Sequence, residues 1–399
     1  MSLGKLKHLM IILLVCLTGS AAFAQSIVQG IIKNSATGEL LPFASVTVKG
    51  SAQGTVTNEQ GSFAFVVKVL PVTLTISSVG YQSTEVTVST AASLTVQLQP
   101  SSVQLQEVTV GNAALQIMRQ VAARAQRESK QTYLFKTFFR QLSSEGGEPV
   151  FFSESFMNTQ WQNWSFDLYQ ITNSRYLEGN HWSTYNNIAP LSLACSGYVN
   201  NNLVTYPVSH KPDSLYKFRI KEFFKANGRE IAVISCTLRS SDYKHTAFSG
   251  DYYVDTENYT VLKTDGDLVN VRINASGPFS FKIKEIKVTS QYKPGADSSS
   301  ILDFVNFSFS SSLKAGFIGL KQLNYTTKLF TIAQDPTINQ QSMQPVSMSR
   351  LQTDRDRFIG AAYDPVFWKN NAVIKRTDEE NMATEKLEKL KAVKGNLDK

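Results

Sequence analysis

Between residues 25 and 100, apolar and polar positions alternate in short runs of period two. Val46 and Val48 oppose Ser45, Thr47 and Lys49, and Phe63, Phe65 and Val67 alternate with Ser62, Ala64 and Val66. Val72, Leu74 and Ile76 alternate with Thr73, Thr75 and Ser77, and Leu94, Val96 and Leu98 with Thr95 and Gln97. Successive side chains of a strand point to opposite faces, so each run offers one face to a core and the other to water. Thr37-Gly38, Asn58-Glu59-Gln60-Gly61 and Val79-Gly80 supply turns between the runs. The pattern predicts a small β-sandwich of seven strands over residues 25–100.

The period then changes. Within the linker region 101–130, Ala114, Ile117, Met118, Val121, Ala122 and Ala125 recur at helical spacing behind Asn112, a candidate N-cap, and predict an amphipathic helix ending near Glu128. Over 131–335 strands return. Tyr133, Phe135 and Thr137 alternate with Leu134, Lys136 and Phe138, and Val305, Phe307 and Phe309 with Asn306, Ser308 and Ser310. These longer segments, split by Gly-Pro, Pro-Gly and Asp-Gly pairs, predict an antiparallel, half-barrel-like meander, with Asp265-Gly266-Asp267 read as one of its turns. Residues 336–399 form an extension in which Thr377 and Glu380 are spaced as a capping box, opening a charged helix expected to be solvated. The fold class is therefore mainly β, a small sandwich followed by a larger antiparallel domain with a few helices.

Composition sharpens this picture. A chain of 399 residues exceeds one ordinary domain, and 42 % apolar against 18 % charged residues excludes a disordered polymer. The net charge of +8 is a mild, dispersed surplus without the basic stripe of a nucleic-acid binder. At the start, Lys5, Lys7 and His8 precede an apolar run from Leu9 to Leu17 and the small-residue pattern Ala22-Phe23-Ala24, the order of a secretory signal over residues 1–24. The run is about half the ~20 residues that a membrane-spanning helix needs, so no spanning helix is expected in the mature chain. Val15 before Cys16 argues against a lipid-modified leader. Export leaves Cys195 and Cys236, which either form a disulfide or fill apolar faces as buried thiols.

Beyond the patterning, Gly30-x-Ile32, Thr37-Gly38-Glu39-x-Leu41-Pro42-x-Ala44-Ser45-Val46, Gly54-Thr55-Val56-Thr57-Asn58-x-x-Gly61-x-Phe63 and Leu74-x-Ile76-Ser77-x-Val79-Gly80-Tyr81 closely resemble the carboxypeptidase regulatory-like domain. The resemblance implies a prealbumin-like sandwich of the kind found at the N-termini of TonB-dependent receptors and other exported proteins of Bacteroidota. It implies a spacer or interaction module without catalysis. Asn58 stands where that family usually carries Asp. Residues 250–263 resemble a hairpin of half-barrel periplasmic lipoprotein carriers, in which a twisted sheet wraps a helix.

Chemistry-bearing motifs do not emerge. The histidines beyond the leader, His181, His210 and His245, lack metal-ligand spacing, and Pro212 spoils the spacing around His210. Neither a nucleophile elbow nor a phosphate-binding glycine loop occurs. No catalytic residue, metal or cofactor is therefore assigned. The expectation is a non-enzymatic periplasmic or outer-membrane-associated binding protein, with envelope glycan, lipid or an outer-membrane protein as partner. The alternatives are a hydrolase whose carboxylates converge only in space and a small outer-membrane barrel. The candidate ligand residues are Trp161, Trp164, Tyr169 and Trp182, rings interleaved with Asn and Gln, which suits stacking beside amide hydrogen bonds if the rings are partly exposed.

Overall fold

The structure, a computed structural model, describes residues 26–51, 53–104, 112–162, 164–180, 188–195, 204–208, 212–272, 279–294, 299–315, 318–346, 354–370, 374–390 and 394–395. The leader, Trp182, His181 and His210 lie outside these residues.

Seven strands build the first unit: β1 (Ser26–Asn34), β2 (Ser45–Val48), β3 (Gly54–Val56), β4 (Ser62–Val67), β5 (Val72–Ser77), β6 (Thr84–Val88) and β7 (Ser93–Leu98). They form a three-stranded sheet, β4-β1-β7, and a four-stranded sheet, β3-β2-β5-β6. Val28, Ile32, Val46, Phe63, Phe65, Leu74, Ile76 and Leu98 meet between them, on the faces that alternation assigns to the core. Gly30 sits where β1 is flanked by β4 and β7, and a Cβ there would lie 2.5 Å from the Leu94 carbonyl oxygen.

The second unit opens with β8 (Ser102–Gln104) and helix α1 (Ala113–Glu128). Asn112 precedes α1 but its side chain makes no capping hydrogen bond, so the burial of Ala114, Met118, Val121, Ala122 and Ala125 holds the helix instead. The strands that follow are β9 (Tyr133–Glu145), β10 (Glu148–Gln162), β11 (Ser165–Glu178), β12 (Tyr216–Ala226), β13 (Arg229–Leu238), β14 (Ala247–Asp255), β15 (Val261–Val269), β16 (Phe279–Pro294), β17 (Ser300–Ala315) and β18 (Ile318–Gln334). With β8 and the short β19 (Gln344–Pro345) and β20 (Lys394–Gly395), they make a 13-stranded sheet in the order β19-β11-β10-β9-β18-β17-β16-β15-β14-β13-β12-β8, with β20 also on β11. Asp265-Gly266-Asp267 is not a turn. It lies within β15, where Gly266 pairs with Gly250 of β14 so closely that a Cβ on either would meet the other's Cα at 2.5–2.6 Å. Two glycines facing each other bring these backbones together beside Phe248, which explains the residues better than a hairpin does.

The sheet curls. Trp164, in the β10–β11 turn, has its ring 5.6 Å from that of Tyr292 on β16. Four steps of sheet separate β10 from β16, roughly 19 Å if flat, so the contact requires the sheet to bend around its contents. Inside the curve lie α1 and helix α2 (Ile188–Cys195). Glu128 at the end of α1 accepts from Trp164 Nε1 at 3.3 Å and from the Ser300 amide at 3.4 Å, tying the helix to both sides of the curl. The sheet ends, β19 and β8, do not pair with each other among the described residues, and the sheet stays open rather than closing as a barrel.

Strands β9, β10, β17 and β18 are covered on both faces. Phe139, Phe151, Phe307 and Leu329 point into the curl, whereas Phe138, Phe304 and Phe330 point outward against Val56 of the sandwich and Trp368 of helix α5 (Pro365–Asn370). Phe43 of the sandwich stacks on Phe304 with centroids 4.5 Å apart. The last helix, α6 (Asp378–Lys389), carries the expected capping box between Thr377 and Glu380. It is not solvated, because Glu380, Ala383, Thr384 and Leu387 are buried and Leu387 packs on Phe152 and Leu177.

Candidate functional site

Of the candidate ring residues, Trp161 lies on β10, Trp164 in the β10–β11 turn and Tyr169 on β11, while Trp182 lies outside the described residues. Parity places Trp161 on the inner face with Met157, and Trp164 and Tyr169 join the same cluster. Their exposures are 3 %, 3 % and 2 %, so the expected partly exposed binding platform is overturned at these three positions. The physical reason is the curl, which buries the inner face of β10 beneath helices that a strand-by-strand reading does not place. The rings act as joints. Trp164 donates to Glu128 of α1, and Tyr169 hydrogen-bonds Arg357 of helix α4 (Asp354–Gly360), whose guanidinium lies 5.0 Å over the ring.

Deeper in the curl are Tyr206, Tyr216, Tyr252 and Tyr292 together with Cys195 and Cys236, all buried. The two cysteines are free thiols, which corrects the disulfide alternative. Cys195 ends α2 beneath the sheet and Cys236 sits on β13 with its Sγ 3.5 Å from the Ile234 carbonyl, each filling apolar space. Burial pushes both thiols up, and does the same to the Tyr206 and Tyr252 hydroxyls, so none of them ionises near neutral pH. Tyr216 donates to the Thr205 and Phe248 carbonyls at 2.9 and 2.8 Å.

Carboxylates do converge, on the opposite face of the sheet. Glu154 of β10 is bound by Arg140 of β9, Arg175 of β11 and Arg376 of the C-terminal extension, each at 2.7 Å. Arg140 continues to Glu380 at 3.0 Å, Glu380 to Lys328 of β18 at 2.7 Å, and Lys328 to Glu59 of the sandwich at 2.6 Å. Burial pushes the Glu154 carboxyl up, but the guanidiniums of Arg376, Arg140 and Arg175 outweigh it and hold the group well below the usual range. Glu380 is likewise held down by Arg140 and Lys328 against its burial. A general acid needs the reverse perturbation, so this network is a fastener and not a hydrolytic pair. Sequence reasoning missed Glu154. Its signal was an acid between Phe152 and Phe156 on one strand parity, where two flanking Phe mark a face that is covered more often than wet.

Asn58 completes the junction. Its Oδ1 accepts from the Gln60 and Ser62 amides at 3.0 Å, closing the turn as Asp would. Its Nδ2 donates to the carbonyls of Lys375 and Arg376 at 3.4 and 3.2 Å, which Asp could not do. Gln82 and Ser83 add contacts to the β12–β13 turn through Lys225 and Asn227.

Among the described residues no group of three or more His, Cys, Asp or Glu could hold a metal ion, and no helix is long and apolar enough to cross a membrane. His245 lies against Tyr243 with centroids 5.5 Å apart.

No curated protein matches the chain in sequence. Among solved structures, the chain is similar to a domain from Vibrio parahaemolyticus described as an outer membrane lipoprotein-sorting protein, at 11 % identity, covering 57 % of this chain and 94 % of that one, with a TM-score of 0.29. It is also similar to a LolA superfamily protein from Nitrosomonas europaea, at 9 % identity over 55 % of this chain and 93 % of that one, with a TM-score of 0.22. The MucA/MucB complex of Pseudomonas aeruginosa is similar at 9 % identity over 58 % and 99 % of the two chains, with a TM-score of 0.20. Residues 28–110 match the family model of the CarboxypepD_reg-like domain, which identifies the N-terminal sandwich.

Proposed function

We propose that this chain is an exported, non-catalytic binding protein of the cell envelope, whose curled sheet takes the apolar chain of a lipid on its helix-covered face. The sandwich is then an interaction module fastened to the opposite face. One observation carries the reading. Side chains from β9 through β18 form a single apolar cluster whose cover includes α1, a helix presenting Ala114, Met118, Val121, Ala122 and Ala125 to it. Small side chains bury little area apiece, so a helix with three alanines on its buried side is released more easily than one built of Leu or Phe. An acyl chain entering there exchanges one apolar contact for another.

A glycan suits the site less well. Sugar stacking needs open ring faces, and Trp161, Trp164 and Tyr169 offer none. Binding is favoured over catalysis because the thiols are buried and protonated and the converging carboxylates are held ionised by cations.

Quenching of tryptophan fluorescence by a dibrominated fatty acid tests this. A brominated chain inside the curl quenches Trp161 and Trp164, and quenching falls to a small remainder in the Trp161→Phe/Trp164→Phe variant. Saturating dibromostearate without quenching, or equal quenching in the variant, sinks the reading.

A further inference from the structure

The three longest neighbouring strands outrun their sheet. β16 pairs with β15 only through Lys287–Gln291, and β18 pairs with β9 only from Leu323 onward, although β17 pairs with β16 as far as Phe279 and with β18 as far as Ile318. Residues 279–284, 312–315 and 318–322 therefore extend past the pairing with β15 and β9 as a three-stranded tongue. Register assigns its faces. Phe279 pairs with Ala315, Phe281 with Leu313, and Ala315 with Ile318, which places these side chains on one face. Lys282 pairs with Ser312, next to Lys314 on the other face, and Gln322 also pairs with Ser312. Lys284, at the β-bulge, reaches Gln322 Oε1 at 3.0 Å.

Two properties of the tongue are unusual together. Three of its apolar residues are open to solvent, with Ile318 68 %, Phe279 40 % and Leu320 40 % exposed, while Leu313 between them is buried. Its charges have one sign. Residues 279–284, 312–315 and 318–322 contain Lys282, Lys284, Lys314 and Lys321 and no Asp or Glu. Lys321 is met by Glu145 from the β9–β10 end at 3.5 Å, and Glu285 just below is engaged by Lys287 at 2.8 Å. An apolar end backed by lysines matches an anionic bilayer surface. There, exposed Ile, Leu and Phe enter the acyl boundary while ammonium groups on flexible stems stay level with the phosphates.

We infer that the β16–β18 tongue docks this protein on an anionic lipid membrane through Phe279, Ile318 and Leu320, with Lys282, Lys284 and Lys314 meeting lipid phosphates. Phe279, Ile318 and Leu320 do not belong to the apolar cluster, so docking holds whether or not the curl accepts an acyl chain.

Cosedimentation of the exported protein with phosphatidylcholine vesicles, with and without phosphatidylglycerol, tests the inference. The protein sediments with the anionic vesicles, and high salt weakens the binding. Lys282→Gln/Lys284→Gln/Lys314→Gln lowers partitioning by about a hundredfold, at roughly fivefold per lysine near an anionic surface. Ile318→Asp/Leu320→Asp lowers it at least about tenfold, since acids are introduced where apolar groups insert. All these positions are exposed or half-buried, so both variants keep the wild-type circular dichroism spectrum and melting temperature. Failure of the wild type to sediment, equal binding to neutral vesicles, or wild-type binding by both variants overturns the inference. So does a lipid-free dimer seen by light scattering and lost in the Ile318→Asp/Leu320→Asp variant, which would make the tongue a protein interface. None of these results bears on quenching of Trp161 and Trp164 by a brominated chain.

Discussion

Arg140 on β9 and Glu154 on β10 pair at 2.7 Å with side chains only 2 % and 1 % exposed, in the middle of a sheet whose two faces are both covered. Around this pair the protein joins three segments far apart in sequence. Arg376 and Glu380 come from the C-terminal extension, and Lys328 links the network to Glu59 of the sandwich. Such a junction makes the sandwich part of one body and not a pendant spacer. It also sets the cost of disturbing it.

Glu154→Gln leaves three guanidiniums around a neutral amide. Removing one partner of a buried ion pair typically costs about 3–5 kcal/mol, because the remaining charge stays desolvated. The urea midpoint of Glu154→Gln is therefore expected to fall by that equivalent, and Arg140→Met by a similar amount. Lys49→Ala, which breaks the exposed Lys49–Glu85 pair, shifts it by less than about 1 kcal/mol. Equal effects at the two sites would deny the network its structural role.

The same carboxylates set an acid limit. Glu154 and Glu380 have folded values below their unfolded ones, so the unfolded chain binds protons first as pH falls. Their contribution is complete above the unfolded glutamate range near pH ~4.5 and is lost as pH drops through the folded values. Stability measured from pH 7 downward should stay level with respect to these groups to about pH 5 and then decline. Glu380→Gln makes that decline shallower. A stability that rises on acidification below pH ~4 contradicts the assignment.

Asn58→Asp isolates the sandwich junction. Asp keeps the turn, since a carboxylate oxygen still accepts from the Gln60 and Ser62 amides, but it turns acceptor against acceptor at the Lys375 and Arg376 carbonyls. The expected loss is about 1–3 kcal/mol, with faster proteolysis around residues 374–377 and unchanged β content. Unaltered proteolysis would mean that these hydrogen bonds do not hold the extension.

The sandwich was legible because its longer strands, such as β4 and β5, each have one drier face, and period-two alternation reports that directly; β3, where Thr55 and Val56 are both buried, is the exception. The larger domain hid its second covered face. Adjacent Phe138-Phe139 and Phe151-Phe152 place a ring on each side of their strands, a pattern of double burial that alternation within one strand does not reveal without knowing what lies above and below. For α6 the mixed charges suggested solvent, yet Glu380, Ala383, Thr384 and Leu387 form a stripe at helical spacing, and the acid among them is buried only because Arg140 and Lys328 wait for it. The tryptophans misled for a related reason. Composition reports that rings and amides are neighbours, whereas the curl decides which way the rings face.

The buried cysteines yield a chemical test. Cys195 and Cys236 are free, fully covered and shifted up by burial, so neither presents a thiolate at neutral pH. In a chain beginning at Gln25, Ellman's reagent should find no thiol in the native protein and both after unfolding in guanidinium. Absence of thiols in the unfolded, unreduced chain would mean that the two had bridged.

Trp161 supplies the sharpest division between packing and binding. On β10 it shares the inner parity with Met157, is 3 % exposed, and belongs to the cluster that α1 covers. Trp161→Ala removes a large ring from a site bounded by strands and cannot be refilled by a simple shift, so the lost transfer energy and the cavity add to about 3–5 kcal/mol. Trp161→Phe retains most of the contact and should cost distinctly less. If the ring instead formed an exposed platform, both variants would unfold with the wild-type urea midpoint and differ only in ligand affinity. Chemical denaturation of the pair thus distinguishes a joint of the core from a surface that binds, and the buried geometry commits Trp161 to the core.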